Sequence, residues 1–326
     1  MLKGINGMNN QLNTPVALIF FTRPDTLKKV FEEVRKAKPQ QLFLIQDGPR
    51  DGNTDDIDKV KECRKIVENI DWECKVYKNY ADVNLGCGER PASGISWVFE
   101  NVEKAIILED DCVPCETFFD YCEEMLNKYE NDERISYVSG LNHFEEWDCG
   151  KYSYFFTKTG AIWGWATWRR AWQKHYDYYV NIINDSYIKR LLSTQITDKD
   201  ISDSRMKIWE KVNKTAITKE KLSYWDAQWG IVKYSQNQLV IVPKYNQISN
   251  IGIGVDSSHA QSVNLNKLKK YKNFFFVPTR KLEFPLTYQT VCMCDAEYDN
   301  LVYTTTRRNK YVYRLKKIIK KILKNE

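Results

Sequence analysis

Residues 105–114 read A-I-I-L-E-D-D-C-V-P, an apolar run that stops in three adjacent acids. Ala105 to Leu108 shows no polar alternation, which suits a strand buried on both faces of a parallel sheet. Glu109, Asp110 and Asp111 follow at its C-terminal end, the edge where open α/β sheets bind ligands. Adjacent carboxylates repel one another and are costly to bury unpaired, so the feature calls for a cation beside it. Hard oxygen donors favour Mg²⁺ or Mn²⁺ over Zn²⁺. Taken alone, such a triplet reads as a solvated acidic turn. Its neighbours in the chain change that.

The rest of the N-terminal half repeats the theme of strand, turn and helix. Thr14 to Phe21 predicts a buried strand ended by Thr22-Arg23-Pro24-Asp25, and Thr26 to Ala37 spaces Leu27, Val30, Phe31 and Val34 on one helical face. Gln41 to Gln46 predicts a second strand, closed by the turn Asp47-Gly48-Pro49. A helix from about 56 to 68, a short strand at 74–77, a Gly-rich loop over 84–93 and a helix around 94–101 lead into the acidic strand. This alternation predicts a doubly wound α/β sheet, mainly parallel, with helices on both faces. Further on, a helix is expected over 117–130, strands at 135–139, 152–157 and 239–242, and helices with loops over 184–220. Beyond Phe276 the pattern assigns little before a basic tail.

Composition narrows the class. At 326 residues, 43% hydrophobic and 13% aromatic, the chain has material for one large α/β domain or two smaller ones. No apolar run approaches the roughly 20 residues that span a bilayer, and the polar start MLKGINGMNNQLNT lacks the apolar stretch of a secretory signal. The expectation is a cytoplasmic protein whose nine cysteines are reduced thiols, at least one of them necessarily unpaired. The net charge of +6 is uneven: residues 307–326 hold nine Lys/Arg and one Glu, leaving 40 bases and 42 acids elsewhere. A nearly neutral body argues against nucleic acid as a partner.

In a doubly wound sheet the first, second and fourth strand ends would line one edge, and a nucleotide would lie across them. Phe21, Thr22 and Arg23 belong to the first, Asp47 to the second and the acidic triplet to the fourth. Asp47 suits a hydrogen bond from a base N–H. Arg23 suits either a phosphate or a bracing role in the loop, and Asp111 a metal that bridges a diphosphate.

The ordered set F-T-R-P, Q-D-G, N-L-G, I-L-E-D-D, Y-W-D-A-Q-W and N-I-G-I-G resembles the GT-A glycosyltransferases over roughly residues 14–260. It is most similar to the bacterial family-2-like enzymes and the N-acetylglucosaminyltransferase I branch. The resemblance implies that the triplet is a variant of the D-x-D motif. Asp111 would then hold Mn²⁺ (or Mg²⁺) with the donor diphosphate, while Glu109 and Asp110 face the nucleoside and donor sugar. It also implies a nucleotide-sugar donor, with UDP-sugar expected.

Within Lys221 to Gly230, K-L-S-Y-W-D-A-Q-W-G, an aspartate sits between aromatic residues, where burial would raise its pKa. Inverting glycosyl transfer needs one base for the acceptor hydroxyl, and a metal can serve the leaving diphosphate as Lewis acid. Asp226 fits the base, and enzymes with a similar W-D motif place theirs there. The plainer alternative is a first-turn or capping aspartate. Glycines at 252 and 254 suggest a loop that closes over a ligand. His259, one of three histidines, matches a late metal- or diphosphate-binding histidine of many GT-A enzymes. Trp163, Trp165, Trp168 and Trp172 surround Gly164 as core or as a glycan wall, and the resemblance puts Gly164-Trp165 near the donor sugar. Glu89-Arg90 would reach the nucleotide or diphosphate, although this loop lacks a phosphate-cradling signature. Cys112-x-x-Cys115 has no matching pair at zinc-site spacing and reads as packing.

From Tyr311 the tail places Leu315, Ile318, Ile319, Ile322 and Leu323 on one face and lysines largely on the other. That pattern suggests an anchor on anionic membrane, or else a docked helix. The expected organisation is therefore a flexible 1–13, a nucleotide-sugar half over 14–140, an acceptor half over 141–306 and a basic tail over 307–326. The expected protein is a peripheral enzyme on the inner face of the membrane, moving sugar to a glycan or lipid-linked acceptor. Its rivals are a sugar-1-phosphate nucleotidyltransferase and a non-catalytic carbohydrate- or nucleotide-binding protein. The former should carry a Gly-rich loop with Arg and Lys directly after its first strand, where this chain has F-F-T-R-P-D.

Overall fold

A computed structural model describes residues 11–218, 220–253 and 274–306. His259 and the basic tail lie outside them. Strand β1 (Val16–Phe20), helix α1 (Pro24–Ala37), β2 (Gln41–Gln46), α2 (Thr54–Glu68), β3 (Lys75–Tyr80), α3 (Gly86–Asn101) and β4 (Lys104–Glu109) follow one another in the alternation the sequence predicts. These four strands pair in parallel in the order β3-β2-β1-β4.

After β4 come β5 (Cys112–Pro114), α4 (Phe118–Lys128), β6 (Ile135–Ser139), β7 (Tyr154–Thr157), β8 (Trp165–Trp168) and α5 (Arg169–His175). Then follow α6 (Ser186–Thr194), α7 (Lys199–Thr218), α8 (Asp226–Ser235), β9 (Leu239–Pro243) and β10 (Ile248–Asn250). The main sheet continues past β4 as β8-β6-β9-β7, with β8 and β7 antiparallel to their neighbours, and β5 and β10 form a separate antiparallel pair. The fold is therefore α/β with a mainly parallel central sheet between helical layers. One sheet crosses the expected boundary at residue 140, because β6 before it pairs with β8 and β9 after it.

The missing alternation in β4 has its cause here. Ala105 and Ile107 enter the core layer under α3, α5 and α8, while Ile106 and Leu108 enter the layer under α1 and α4. All four are fully buried, Ile106, Ile107 and Leu108 each contributing about 1.5–3 kcal/mol by leaving water. By contrast β3, with Lys75 and Lys78, is the half-exposed sheet edge, where lysine discourages further strand pairing.

Two expectations need correction. The stretch 84–93 is not a loop ahead of a helix at 94, because α3 already begins at Gly86 and carries Pro91 within it. The C-terminal stretch is also structured. Residues 274–282 cross the loop before β10, held by Asn246 Nδ2 donating to the carbonyls of Val277 and Pro278 at 3.2 and 3.0 Å. Residues 296–306 are helical, and Asp299 accepts from Thr159 Oγ1 at 2.7 Å and from Thr157 Oγ1 beside β9. All nine cysteines are free thiols. No helix among the described residues is long and apolar enough to cross a membrane.

Candidate functional site

The C-terminal ends of β1, β2 and β4 open on one edge, and β8, running the other way, starts there: Ile107 of β4 lies opposite Trp165. Asp110 and Asp111 sit just beyond the end of β4 and are nearly buried. The turn after β1 closes on them. Phe21 N donates to Asp110 Oδ2 at 3.2 Å, Arg23 Nη1 to Asp111 Oδ2 at 2.8 Å, and Arg23 Nη2 to Asp110 Oδ1. Pro24, at the first helical position, starts α1 immediately after this arginine and fixes where its side chain leaves the backbone. Thr22 lies buried in the same turn.

From the other side the β5–β10 ribbon brings in Asn250 to Gly252. Ile251 N donates to the Asp111 carbonyl at 2.8 Å, and Gly252 N to Asn250 Oδ1 at 2.8 Å. A β-carbon on Gly252 would stand 1.9 Å from Asp111 Oδ2, so only glycine permits this approach. Gly252 thus seats the metal-candidate carboxylate, a role different from the closing loop expected of it. Asp111 Oδ1 meets weaker partners, Cys112 Sγ at 3.4 Å and Asn250 Nδ2 at 3.5 Å.

Electrostatics follow from the crowding. Burial pushes the Glu109 carboxyl up to about 8, with Asp111 and Asp110 adding, Arg23 opposing and Asp226 adding a smaller amount. Burial also raises Asp110, against the pull of Arg23. Burial works against the Arg23 charge, but Asp110 and Asp111 outweigh it and hold the guanidinium above its usual range. One guanidinium thus faces three acids.

The donor set suits a hard divalent cation. Among the described residues no three His, Cys, Asp or Glu side chains converge as a ready-made cage. Mg²⁺-type sites need no such cage, since they use one or two carboxylates and take their other ligands from substrate phosphates and water. Asp111, with Oδ1 lightly engaged and Oδ2 held by Arg23, is the carboxylate facing this role.

Asp226 is the first residue of α8 and is solvent-exposed. This corrects the expectation of a desolvated carboxylate: its aromatic neighbours point inward, with Trp225 stacked on Trp165 at 5.9 Å, while Asp226 faces out. It is nonetheless near the triplet, since its charge acts on Glu109 and on the Cys87 thiol. Three contacts pin the loop ahead of α8 to the start of α3. Lys221 Nζ donates to the Asn84 carbonyl at 3.1 Å, Cys87 Sγ to the Ser223 carbonyl at 2.9 Å, and Gly88 packs on Leu222. Cys87, which carries no motif, is therefore at the site; burial raises its thiol, and Asp47, Glu109 and Asp226 add to that.

Three expected donor contacts take structural positions instead. Asp47 accepts four hydrogen bonds, from Gly48 N and Leu85 N on Oδ1 and from Asn84 Nδ2 and Gly86 N on Oδ2, all 2.8–3.0 Å. Its lone pairs are thereby committed to building the start of α3 rather than to a base N–H. Arg90 is buried, with Nε on the Gln46 carbonyl at 3.1 Å and Nη2 on the Asn79 carbonyl and side chain, so its guanidinium ties β2 to β3. Trp165 is 1% exposed amid Trp172, Trp225, Trp229 and Tyr137, and forms a wall behind the site instead of touching solvent. Trp168 and Trp172 are buried too, whereas Trp163 is partly exposed beside Phe274 and Phe275.

No family model matches the chain, and no curated protein matches it. Among solved structures 88 chains match. One is described as the crystal structure of UDP-glucose pyrophosphorylase complexed with UDP-glucose, with a TM-score of 0.35 and 8% identity, covering 73% of this chain and 93% of that one. So loose a likeness carries no argument about activity.

Proposed function

We propose that this sheet edge binds a nucleotide-sugar together with a divalent cation, and that the protein is a metal-dependent glycosyltransferase of GT-A type. The observation that carries the reading is the meeting of four distant segments: Phe21–Arg23, Glu109–Asp111, Asn250–Gly252 and the Asp226 end of α8. In this reading Asp111 holds Mn²⁺ or Mg²⁺, with His259 as a further ligand, and Glu109 and Asp110 face the nucleoside and sugar. The bound cation would supply Lewis-acid stabilisation of the leaving diphosphate. Asp226, exposed at the helix start, takes the proton of the attacking acceptor hydroxyl. Exposure suits that task, because the acceptor arrives from solvent. A UDP-sugar donor, inversion, a glycan or lipid-linked acceptor, and attachment of the basic tail to anionic membrane on the cytoplasmic side complete the proposal.

A sugar-1-phosphate nucleotidyltransferase is the second reading, and the same carboxylates and cation would serve it. Against it, β1 passes to α1 through Phe21, Thr22 and Arg23 alone, without room for a Gly-rich phosphate loop. Calorimetric titration of UDP, GDP and CDP, with Mn²⁺ and then with EDTA, tests the shared ground. Metal-dependent binding of one nucleotide is expected, and no binding to any of them removes both readings. Product analysis then separates them: release of nucleoside diphosphate from a sugar-nucleotide supports glycosyl transfer. Pyrophosphate-dependent formation of nucleoside triphosphate supports the second reading.

A further inference from the structure

The geometry points to Arg23 as a built-in competitor of the divalent cation: it occupies the carboxylates a metal would use and must let go of Asp111 when the metal binds. This rests on the proposed metal–nucleotide site and adds a positioning role that the proposal itself does not contain.

The argument starts from how the guanidinium is held. Its two terminal nitrogens divide between two carboxylates, Nη1 on Asp111 Oδ2 at 2.8 Å and Nη2 on Asp110 Oδ1. The acid side chains are 4% and 10% exposed and the arginine 22%, so water screens these pairs little. The two anchors differ. Asp110 is also fixed by Phe21 N at 3.2 Å, the residue two before Arg23, so that pair belongs to the turn itself. Asp111 Oδ2 is held by Arg23 beside the close approach of Gly252, and a cation that chelates both Asp111 oxygens displaces the guanidinium from it. Arg23 stays attached through Asp110 and turns its freed nitrogen toward the edge where a diphosphate would sit. There a phosphate oxygen would accept a charge-assisted hydrogen bond from it.

Two cations contesting one oxygen bind with negative coupling. A phosphate that takes over the displaced guanidinium relieves it, so metal and nucleotide favour one another.

The test uses the full-length protein and Mn²⁺ alone, with free Mn²⁺ followed by electron paramagnetic resonance and the melting temperature read in parallel in EDTA. In Arg23→Ala and Arg23→Gln, Mn²⁺ without nucleotide should bind more tightly than in wild type, by about ten-fold, within the usual range of coupling between two ligands. Both variants should melt lower than wild type in EDTA and recover with Mn²⁺. Unchanged or weaker Mn²⁺ binding in folded variants overturns the competition, while wild type that still binds UDP with Mn²⁺ leaves the proposed function standing. Absence of Mn²⁺ binding in all three proteins, with no metal-dependent UDP binding in wild type, removes both. Should Ala fail to fold, the near-isosteric Gln variant decides.

Discussion

Gly88 lies directly against the backbone of Leu222: a β-carbon at residue 88 would stand 2.3 Å from the Leu222 carbonyl oxygen. Alanine normally stabilises a helix over glycine, so Gly88→Ala sets helix propensity against a backbone clash that no side-chain rotation relieves. The clash should win, costing about 1–3 kcal/mol as overpacking does. Urea denaturation of the variant measures it, and a raised midpoint would show that the Leu222 loop simply moves aside.

Asp47 makes a related prediction. Its carboxylate holds Leu85 N and Gly86 N at 2.8 Å each, so Asp47→Ala strands backbone donors at the start of α3. Stability should fall by about 2–3 kcal/mol, the scale of hydrogen bonds to a charged group. A variant of wild-type stability that has lost nucleotide binding would restore Asp47 to the role of base reader.

For Asp226, the reaction and the helix make separable demands. As general base it should lose at least about 10²-fold in kcat on replacement by Asn, with donor affinity unchanged. As a mere first-turn acid of α8 it would cost only about 0.3–1 kcal/mol of helix stabilisation. Steady-state kinetics on Asp226→Asn, with donor binding measured calorimetrically, decide between them; surviving turnover would leave Asp226 a helix-terminal charge.

Lys233 carries a pH prediction. It is buried on α8, with Nζ 3.3 Å from Tyr137 Oη and 3.4 Å from the Gly160 carbonyl, and burial, with Arg205 adding and Asp299 opposing, lowers its pKa to about 7. The unfolded chain therefore holds a proton that the folded one lacks from about pH 7 to the ordinary lysine value of 10.5. Stability contributed at this residue rises with pH across that window. Between pH 7 and 9.5 the wild type should gain on Lys233→Met by up to about 1 kcal/mol per pH unit. Parallel urea midpoints that keep a constant gap would mean Lys233 is not titrating there.

The C-terminal helix over 296–306 hangs on Asp299, which receives Thr159 Oγ1 at 2.7 Å, Lys158 N at 3.2 Å and Thr157 Oγ1. Asp299→Ala should free this helix and expose the chain after Phe156 and Cys294 to protease, with a stability loss of about 1.5–3 kcal/mol. Limited proteolysis that leaves the variant as resistant as wild type would show that packing of Tyr298 and Tyr303 suffices.

Local regularities of the chain set the fold's framework. The apolar runs of β1, β2 and β4 and the helical face of Leu27, Val30, Phe31 and Val34 match the buried elements observed. Period and apolarity are local properties, and burial on both sheet faces demands them. The acidic triplet at the end of β4 was legible for the same reason. Partnerships across long separations were not. Asp47 looks like a ligand contact until Leu85 and Gly86 are folded onto it, and Arg90 looks free until β2 and β3 claim it. Asp226 looks buried because its sequence neighbours are aromatic, yet the helix turns them inward and leaves it outside. Cys87 and Gly252 carried no decisive signal, since their importance lies in Ser223 and Asp111, more than a hundred residues away. The sequence by itself determined the buried strands β1, β2 and β4, the helix that follows β1, and where charge collects. Only tertiary structure decided which polar groups satisfy one another, and so which remain available for chemistry.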